Sequence, residues 1–472
     1  MNVLPIRFVF VVAIMLLLFL FSRASGQLLA RASSPQIWIS AAELAQLPTY
    51  GEAWDDLLAE ADTAAGNPNL GDQNDRTNVT ILAKALVYAR TGQTTYRDDV
   101  VAALDHIVQT NTEENGTSLA LSRELAAYVI AADLIDLTAV NPALDTQFRA
   151  KLTTLLTKNL SGRTLRSTHE DRPNNWGTHA GASRAAVALY LGDATELANM
   201  ATVFHGWLGN RAAYAAFDYG DDLSWQCNPA EPVGINPLGC LKSGQSLDGA
   251  QPEEMRRAGG FTWPPEETTY AWEGLQGAVV QAEILARAGY STWAWEDEAL
   301  LRAVQFLYGI GWQAEGDDRW QTWIVNKAYG QTFVPEAGTV HPGKNMGWTN
   351  WTHGPAWLNG LEITAVIPPN TNDVQLGWPH IDEDNQGDPL TVTTYEIWQH
   401  EVSYERPDEE DATRLATLIP SAGAETVTYL DDDILALVEP VFYTVRAKNG
   451  SGYIVGDSRL VGALPFVMRP GE

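Results

Sequence analysis

Three stretches of the chain share a pattern of apolar residues at helical spacing that stops at a glycine and then resumes. The glycines are Gly92, Gly192 and Gly289. Glycine is the usual residue at a helix C-terminus because it adopts left-handed backbone angles without strain. The pattern therefore predicts three antiparallel helical hairpins, over residues 81–108, 182–208 and 278–310.

Two further runs with helical spacing, 122–137 and 148–160, lie between these hairpins. Repeated hairpins packed side by side form either an open solenoid or a closed toroid. The 17 tryptophans favour a toroid with an aromatic-lined cleft, since sugar rings stack on indoles. Most individual tryptophans are nevertheless expected in the core. We predict a mainly α fold, an (α/α) toroid of antiparallel helical hairpins, over residues 38–366.

The pattern changes after Pro368 and Pro369, where we place the domain boundary. Short runs of alternating apolar and polar residues follow, separated by Gly, Pro, Asn and Asp clusters. Such alternation is typical of a small antiparallel β-sandwich, which we predict over 373–465. Within it, residues 440–452 resemble a late strand of a fibronectin type III module.

The N-terminus has the three parts of a secretory signal over residues 1–26. Arg7 precedes an apolar run at 8–21, and small residues follow. The run is too short to span a bilayer comfortably, so we expect a secreted product, extracellular or periplasmic, without further membrane contact. In such a compartment Cys227 and Cys240 are expected to form a local disulfide, and they make a poor zinc signature.

The formal net charge is -29, with only 30 Lys and Arg residues. This balance argues against nucleic-acid binding, which needs clustered cations on the phosphates. An anionic substrate would need a locally basic cleft. The oligomeric state does not follow from these features.

A first polar cluster, RPNNWGTHAG, spans residues 172–181. Asn is a preferred helix N-cap, so capping is a sufficient explanation for one of Asn174 and Asn175. Capping does not explain the presence of Arg172, Trp176 and His179. We therefore treat the cluster as a candidate catalytic and substrate-binding segment.

A second cluster begins at Asp248 and contains Glu254, Arg256, Arg257, Trp263 and Tyr270. One interpretation is the local basic cleft that an anionic substrate needs. The other is a surface network of ion pairs between the arginines and the neighbouring glutamates.

The two clusters together supply the groups for β-elimination on a uronate polymer. The C5 proton of a uronate becomes acidic when its carboxylate is neutralised by an amide, a guanidinium or an imidazole. A Tyr or His can then remove that proton, and a Tyr can protonate the departing oxygen. This chemistry requires no metal or organic cofactor.

A third stretch, residues 341–357, packs Trp348 and His353 among further indoles and amides. It predicts either the wall of a substrate subsite or a loop that closes the toroid. The closing loop is the favoured interpretation.

The first two clusters resemble motifs of the alginate-lyase superfamily of polysaccharide lyases, and the resemblance spans roughly residues 40–365. The pattern Asp-Gly-x-x-Pro-x-Glu-x-x-Arg falls here between Asp248 and Arg257. The resemblance implies a helical toroid and an anionic polysaccharide substrate. It also implies that Asn175 neutralises the substrate carboxylate with help from Arg257, and that Tyr270 is the acid.

The sequence departs from the family pattern at two places. Trp176 stands where such lyases commonly have His, and the imidazole of His179 comes three residues later. The segment between Arg257 and Tyr270 is also longer than usual. Either Tyr270 or His179 is therefore a candidate for the base.

Two other functions stay open. A glycoside hydrolase on a similar toroid would draw paired carboxylates from five acidic residues, Asp221, Asp222, Glu254, Glu266 and Glu267. A glycan-binding protein without catalysis is the third possibility. The leading hypothesis is a secreted lyase that acts on an alginate-type or glucuronan-type polymer.

Overall fold

The computed structural model describes most of the helical part and portions of the C-terminal part. The described residues are 37–49, 52–329, 331, 333, 345–354, 363–369, 371–382, 390–400, 413–421, 423–432, 434, 441–450, 454–457 and 461–463. The predicted signal at 1–26 lies outside them, as do the ends of the stretch 341–357. Within these residues, none of the helices has the length and apolarity needed to cross a membrane.

The described α-helices begin at Ala41 and end at Thr352. They are α1 (Ala41–Gln46), α2 (Glu52–Ala61), α3 (Thr77–Thr91), α4 (Thr94–Gln109), α5 (Ser118–Leu134), α6 (Leu137–Val140), α7 (Pro142–Leu155), α8 (Leu165–Asp171), α9 (Asn175–Leu191), α10 (Ala194–Leu208), α11 (Pro252–Met255), α12 (Tyr270–Arg287), α13 (Trp295–Gly309), α14 (Trp320–Tyr329) and α15 (Thr349–Thr352). Short 3₁₀ turns cover Thr112–Asn115, Arg256–Ala258, Thr292–Ala294 and Gly316–Asp318.

The three predicted hairpins are confirmed. They are α3–α4, α9–α10 and α12–α13, and their turn glycines Gly92, Gly192 and Gly289 have φ values of 74°, 70° and 93°. A residue with a side chain would be strained at these angles, which explains why glycine occupies each turn.

The helices form two layers. Every residue of α5 is buried, and α9 and α12 are buried along almost their whole length. By contrast, α4 buries one stripe, Val100, Ala103, Leu104 and Ile107, at the spacing of an amphipathic helix. The fully buried helices are therefore the inner wall, and amphipathic helices such as α4 form the outer layer. This two-layer arrangement is the predicted (α/α) toroid.

Helices α9 and α12 run side by side in parallel and in close contact. Gln281 of α12 donates from Nε2 to the carbonyl oxygen of Thr178 in α9, at 2.9 Å. Gly277 lies directly against the backbone of Thr178, and a Cβ atom there would collide with it. The register places the N-termini of both helices, at Asn175 and Tyr270, on one rim of the toroid.

Residues 345–354, which we call the closure segment, join the last helix to the first ones. Trp348 donates from Nε1 to the carbonyl of Val79 in α3 at 2.9 Å. Thr349 donates from Oγ1 to the carbonyl of Trp320 in α14 at 2.6 Å. The closure segment thereby links α14 to α3, two helices more than two hundred residues apart in the sequence, and completes the ring.

The C-terminal part contains two small antiparallel sheets. Their strands are β3 (Thr364–Val366), β4 (Val374–Pro379), β5 (Thr394–His400), β6 (Thr413–Leu418), β7 (Thr426–Asp431), β8 (Val441–Lys448), β9 (Ile454–Asp457) and β10 (Val461–Ala463). One sheet has the order β10-β8-β5-β6 with β9 also on β8, and the other has the order β3-β4-β7. A two-residue hairpin, β1 (Leu241–Lys242) with β2 (Gln245–Ser246), belongs to the helical part.

The two sheets pack on each other as the predicted small β-sandwich. The rings of Trp378 in β4 and Tyr395 in β5 lie 5.5 Å apart, and Tyr443 of β8 donates to Asp431 of β7 at 2.7 Å. Strand β3 pairs with β4, so residues 364–366 belong to the sheets. We had assigned them to the helical domain, because three residues are too few to show alternation. The likeness to a fibronectin type III module stays a prediction.

Candidate active site

The first turn of α9 is held by its own sequence and by a residue from the second cluster. Asn174 is the N-cap, and its Oδ1 accepts the N–H of Trp176 at 3.1 Å. Asn175 is the first helical residue and is buried. The capping role therefore belongs to Asn174 and leaves the side chain of Asn175 without that function.

Glu254 connects the two clusters. It lies in α11, is buried, and accepts the backbone N–H of Asn175 on Oε1. Burial raises the pKa of Glu254 to about 8, although the Asn175 N–H bond and the positive charge of Arg257 act in the opposite direction. Its carboxyl group thus holds a proton at neutral pH. Glu254, expected to bind substrate, uses its Oε1 to position the backbone of Asn175.

Arg257 and Tyr270 form an exposed pair beside this link. The guanidinium of Arg257 lies 4.1 Å from the centre of the Tyr270 ring. Tyr270 is 37% exposed at the start of α12, so its hydroxyl is open to a substrate. A cation and a phenol at one open edge match the groups needed to neutralise a carboxylate and to transfer a proton.

Arg172 and Trp176 make a second cation–aromatic pair at the same rim. The guanidinium lies 5.5 Å from the indole ring, and both side chains are half-buried. Burial lowers the pKa of Arg172, and the charges of Arg163 and Arg257 lower it further. The positive charge of Arg257 thus acts on Arg172. We call the group Arg172, Asn175, Arg257 and Tyr270 the rim site.

His179 lies one helical turn below Asn175 and is completely buried. Its backbone N–H side packs against Gly277 of α12, where there is no room for a Cβ atom. The imidazole is therefore inside the wall of the toroid, one turn deeper than Asn175, which is itself only 2% exposed. Arg257 and Tyr270 are the exposed side chains at the rim.

The remaining candidates of the second cluster differ in their surroundings. Arg256 makes two bonds to the carboxylate of Glu253, at 2.9 and 2.7 Å. This is the ion-pair arrangement that we had considered for the arginines. Trp263 is 41% exposed, in the segment between Arg257 and Tyr270. Its indole is available for stacking.

Trp348 and His353 do not join the rim site. Both are buried in the closure segment. His353 packs 4.8 Å from the Trp38 ring and contacts Glu283 at 3.2 Å. Glu283 follows Tyr270 by thirteen residues along α12, which is about 20 Å of helix. Trp348 and His353, expected to bind substrate, therefore have no exposed surface with which to contact it.

Sequence reasoning missed an ion pair inside the toroid. Arg123 of α5 reaches past α9 to the carboxylate of Glu273 in the first turn of α12. The next residue, Glu124, is also fully buried, and burial raises its pKa well above the usual range, with Asp75 and Asp72 adding to the shift. The signal was present, because Arg123 and Glu124 interrupt an otherwise apolar helix.

The disulfide loop braces the segment that carries Arg257. Cys227 and Cys240 are bonded, with their Cα atoms 5.8 Å apart. Trp225 donates from Nε1 to the carbonyl of Gly259 at 3.0 Å, and the ring of Phe261 packs edge-on against it. The loop thereby fixes the backbone directly after Arg257. In the part of the chain that is described, no three His, Cys, Asp or Glu side chains are grouped to hold a metal ion.

Comparison with known proteins supports one class of enzyme. Residues 27–213 match the model of the alginate lyase family. No curated protein matches the chain. The matched region covers α1 to α10 and includes Asn175, but ends before Arg257 and Tyr270. This similarity supports a polysaccharide lyase with an anionic polysaccharide substrate.

Proposed function

We propose that the chain is a secreted polysaccharide lyase that cleaves a uronate-containing polymer, of the alginate or glucuronan type, by β-elimination. One observation carries the proposal. Asn175 and the Arg257–Tyr270 pair come from segments about eighty residues apart, yet Glu254 joins them at one rim by accepting the N–H of Asn175. A helix cap alone would not need this second segment.

The residues of the rim site divide the chemistry between them. The amide of Asn175 and the guanidinium of Arg257 neutralise the uronate carboxylate, so that the C5 proton becomes acidic. A base removes that proton, electrons move to form the C4=C5 double bond, and the C4–O bond breaks. An acid then protonates the departing glycosidic oxygen.

Tyr270 is the better candidate for the proton transfers. It is partly exposed and has Arg257 over its ring, whereas His179 is fully buried in the wall. The phenol oxygen is the atom that would take the C5 proton. The same hydroxyl, once protonated, is placed to serve as the acid.

Glu254 favours a second candidate, a glycoside hydrolase. A carboxyl group with its pKa raised to about 8 is what a general acid of a hydrolase needs. Its oxygens are buried, however, and Oε1 already accepts the N–H of Asn175. The lyase is therefore the function that the arrangement supports best.

The test is a screen of alginate, polymannuronate, polyguluronate, glucuronan and pectate with the purified protein. A lyase product carries a C4=C5 double bond and absorbs in the ultraviolet, so absorbance should rise on at least one uronan. New reducing ends without absorbance would favour the hydrolase. Binding to a uronan without turnover at any pH would favour a non-catalytic glycan-binding protein.

A further inference from the structure

Arg172 differs from two other arginines near the rim site, Arg163 and Arg256, because it has no carboxylate in an ion pair with it in the part of the chain that is described. Its Nε–H is buried and donates to no acceptor there. Arg163 pairs with Asp171 at 2.7 Å, and Arg256 pairs with Glu253 at 2.7 Å. The Arg172 guanidinium lies 5.5 Å from the centre of the Trp176 ring.

The electrostatic surroundings of Arg172 are unfavourable for a cation without an anion. Partial burial and the charges of Arg163 and Arg257 lower its pKa, while Asp218 and Asp171 offset this only in part. The chain as a whole has a net charge of -29, so carboxylates for pairing are abundant elsewhere. A half-buried arginine without an ion pair to any described residue is poorly suited to stabilise the fold, but it is well suited to bind an anion.

We propose that Arg172 binds the carboxylate of a second uronate, adjacent to the one that Asn175 and Arg257 neutralise. The inference rests on the proposed function. It means that the preferred substrate is a run of at least two consecutive uronates with free carboxylates. A polymer in which neutral sugars separate the uronates is a poor substrate.

The chemistry of the pair supports this assignment. Guanidinium binds carboxylate through two parallel hydrogen bonds, and Trp176 holds the guanidinium plane in place for them. The stack on Trp176 also presents an apolar ring face beside the second sugar. The contact is made equally in the ground state and in the transition state, because no bond of the second uronate changes.

Arg172→Met and Arg163→Met form the matched pair of variants for the first test. Arg172→Met should raise KM for the best uronan by about tenfold or more and change kcat little. Arg163→Met should change KM by less than about threefold, because Arg163 already has a partner. If the two variants raised KM equally, the effect would come from the general positive charge of the region, and the assignment would be overturned. The melting temperature of Arg172→Met should stay level or rise, and a fall of several degrees would make Arg172 structural and also overturn it.

The second test uses the same uronan with its carboxylates randomly methyl-esterified. At half esterification, the wild-type kcat/KM should fall to about a quarter of its value on the free polymer, since two adjacent free carboxylates are needed. The kcat/KM of Arg172→Met should fall to about half of its own value on the free polymer, since one free carboxylate is then enough. If kcat/KM fell equally with esterification in the wild type and in Arg172→Met, the inference would be contradicted, and β-elimination would still stand. Absence of an unsaturated product from the wild type on every uronan would instead remove the proposed function itself.

Discussion

The rim site and the closure segment are built from the same kinds of residues, yet the structure uses them in opposite ways. Both contain asparagine and aromatic side chains. In the closure segment the indole nitrogens of Trp348 and Trp351 donate to the carbonyls of Val79 and Pro48, and both rings are buried. At the rim site Tyr270 is open, and Arg172 makes no ion pair with any residue that the structure describes.

The difference shows which feature separates a structural cluster from a functional one. In the closure segment the indoles are buried and bonded inside the protein, although the amide of Asn345 and the Oδ1 of Asn350 have no hydrogen-bond partner among the described residues. A functional cluster keeps some groups available for a ligand. Whether a cluster is structural or functional therefore depends on the partners of its side chains, and residue type alone does not decide it.

The largest effect is expected in the closure segment. Trp351→Ala removes a buried indole that packs 5.4 Å from Trp54 and should lower the free energy of unfolding by about 3–5 kcal/mol. Turnover per folded molecule should stay near that of the wild type. Urea denaturation followed by far-ultraviolet circular dichroism measures the first quantity. A stable variant that has lost turnover would place Trp351 in the site and break the comparison.

Asn175→Ala should have the opposite effect, with turnover lost and stability retained. Turnover on the best uronan should fall by about two to three orders of magnitude, because the carboxylate loses its amide donor. The fold should be kept, since Glu254 binds the backbone N–H of residue 175 and not its side chain.

The neighbouring cap is the matched control for Asn175. Asn174→Ala should cost about 1 kcal/mol of stability and reduce turnover much less. The comparison requires kcat and the melting temperature of both variants. If Asn174→Ala lost more turnover than Asn175→Ala, the roles assigned to the two amides would be exchanged.

Tyr270→Phe removes one hydroxyl and keeps the ring beneath Arg257. Turnover should fall by roughly a hundredfold or more, with no loss of stability, because the proton carrier is gone. Single-turnover kinetics would separate this step from binding. Near-normal turnover here, together with complete loss in His179→Ala, would make the histidine the proton carrier.

A smaller effect concerns the buried acid of the rim. The pKa of Glu254 is raised from 4.5 to about 8, so the folded state binds its proton more tightly than the unfolded state does. Stability linked to this group is therefore complete below pH 4.5 and is lost as pH rises towards 8. Glu254→Gln keeps an acceptor for the Asn175 N–H and cannot ionise.

The wild type should consequently lose stability relative to Glu254→Gln across this pH range, by about 1 kcal/mol or more. Denaturation curves at several pH values provide the measurement. Parallel pH dependence in the two proteins would mean that Glu254 is already ionised at neutral pH.

Much of the fold was predictable because its signals are local. Apolar spacing and the glycines at 92, 192 and 289 fixed the hairpins, since helix periodicity and left-handed caps are properties of short segments. The toroid closure was harder to predict, because it depends on bonds such as that from Trp348 to Val79. Strand β3 was missed because only its partner β4 identifies it as a strand.

The candidate site was predictable in part for the same reason. The residue types of the two clusters indicated the chemistry, and the resemblance linked them. Burial of Glu254 and His179 depends on which helices pack together, and so does the lack of a partner for Arg172. These properties depend on tertiary structure, so a local sequence pattern does not predict them.

The most direct test of the account is the mass of the smallest oligosaccharides released from the best uronan. β-Elimination adds no water, so the product with the new non-reducing end should be lighter by one water than its hydrolytic counterpart. The account predicts this unsaturated product from the wild type, and its near-absence from Tyr270→Phe under the same conditions. Products with the full hydrolytic mass would contradict it.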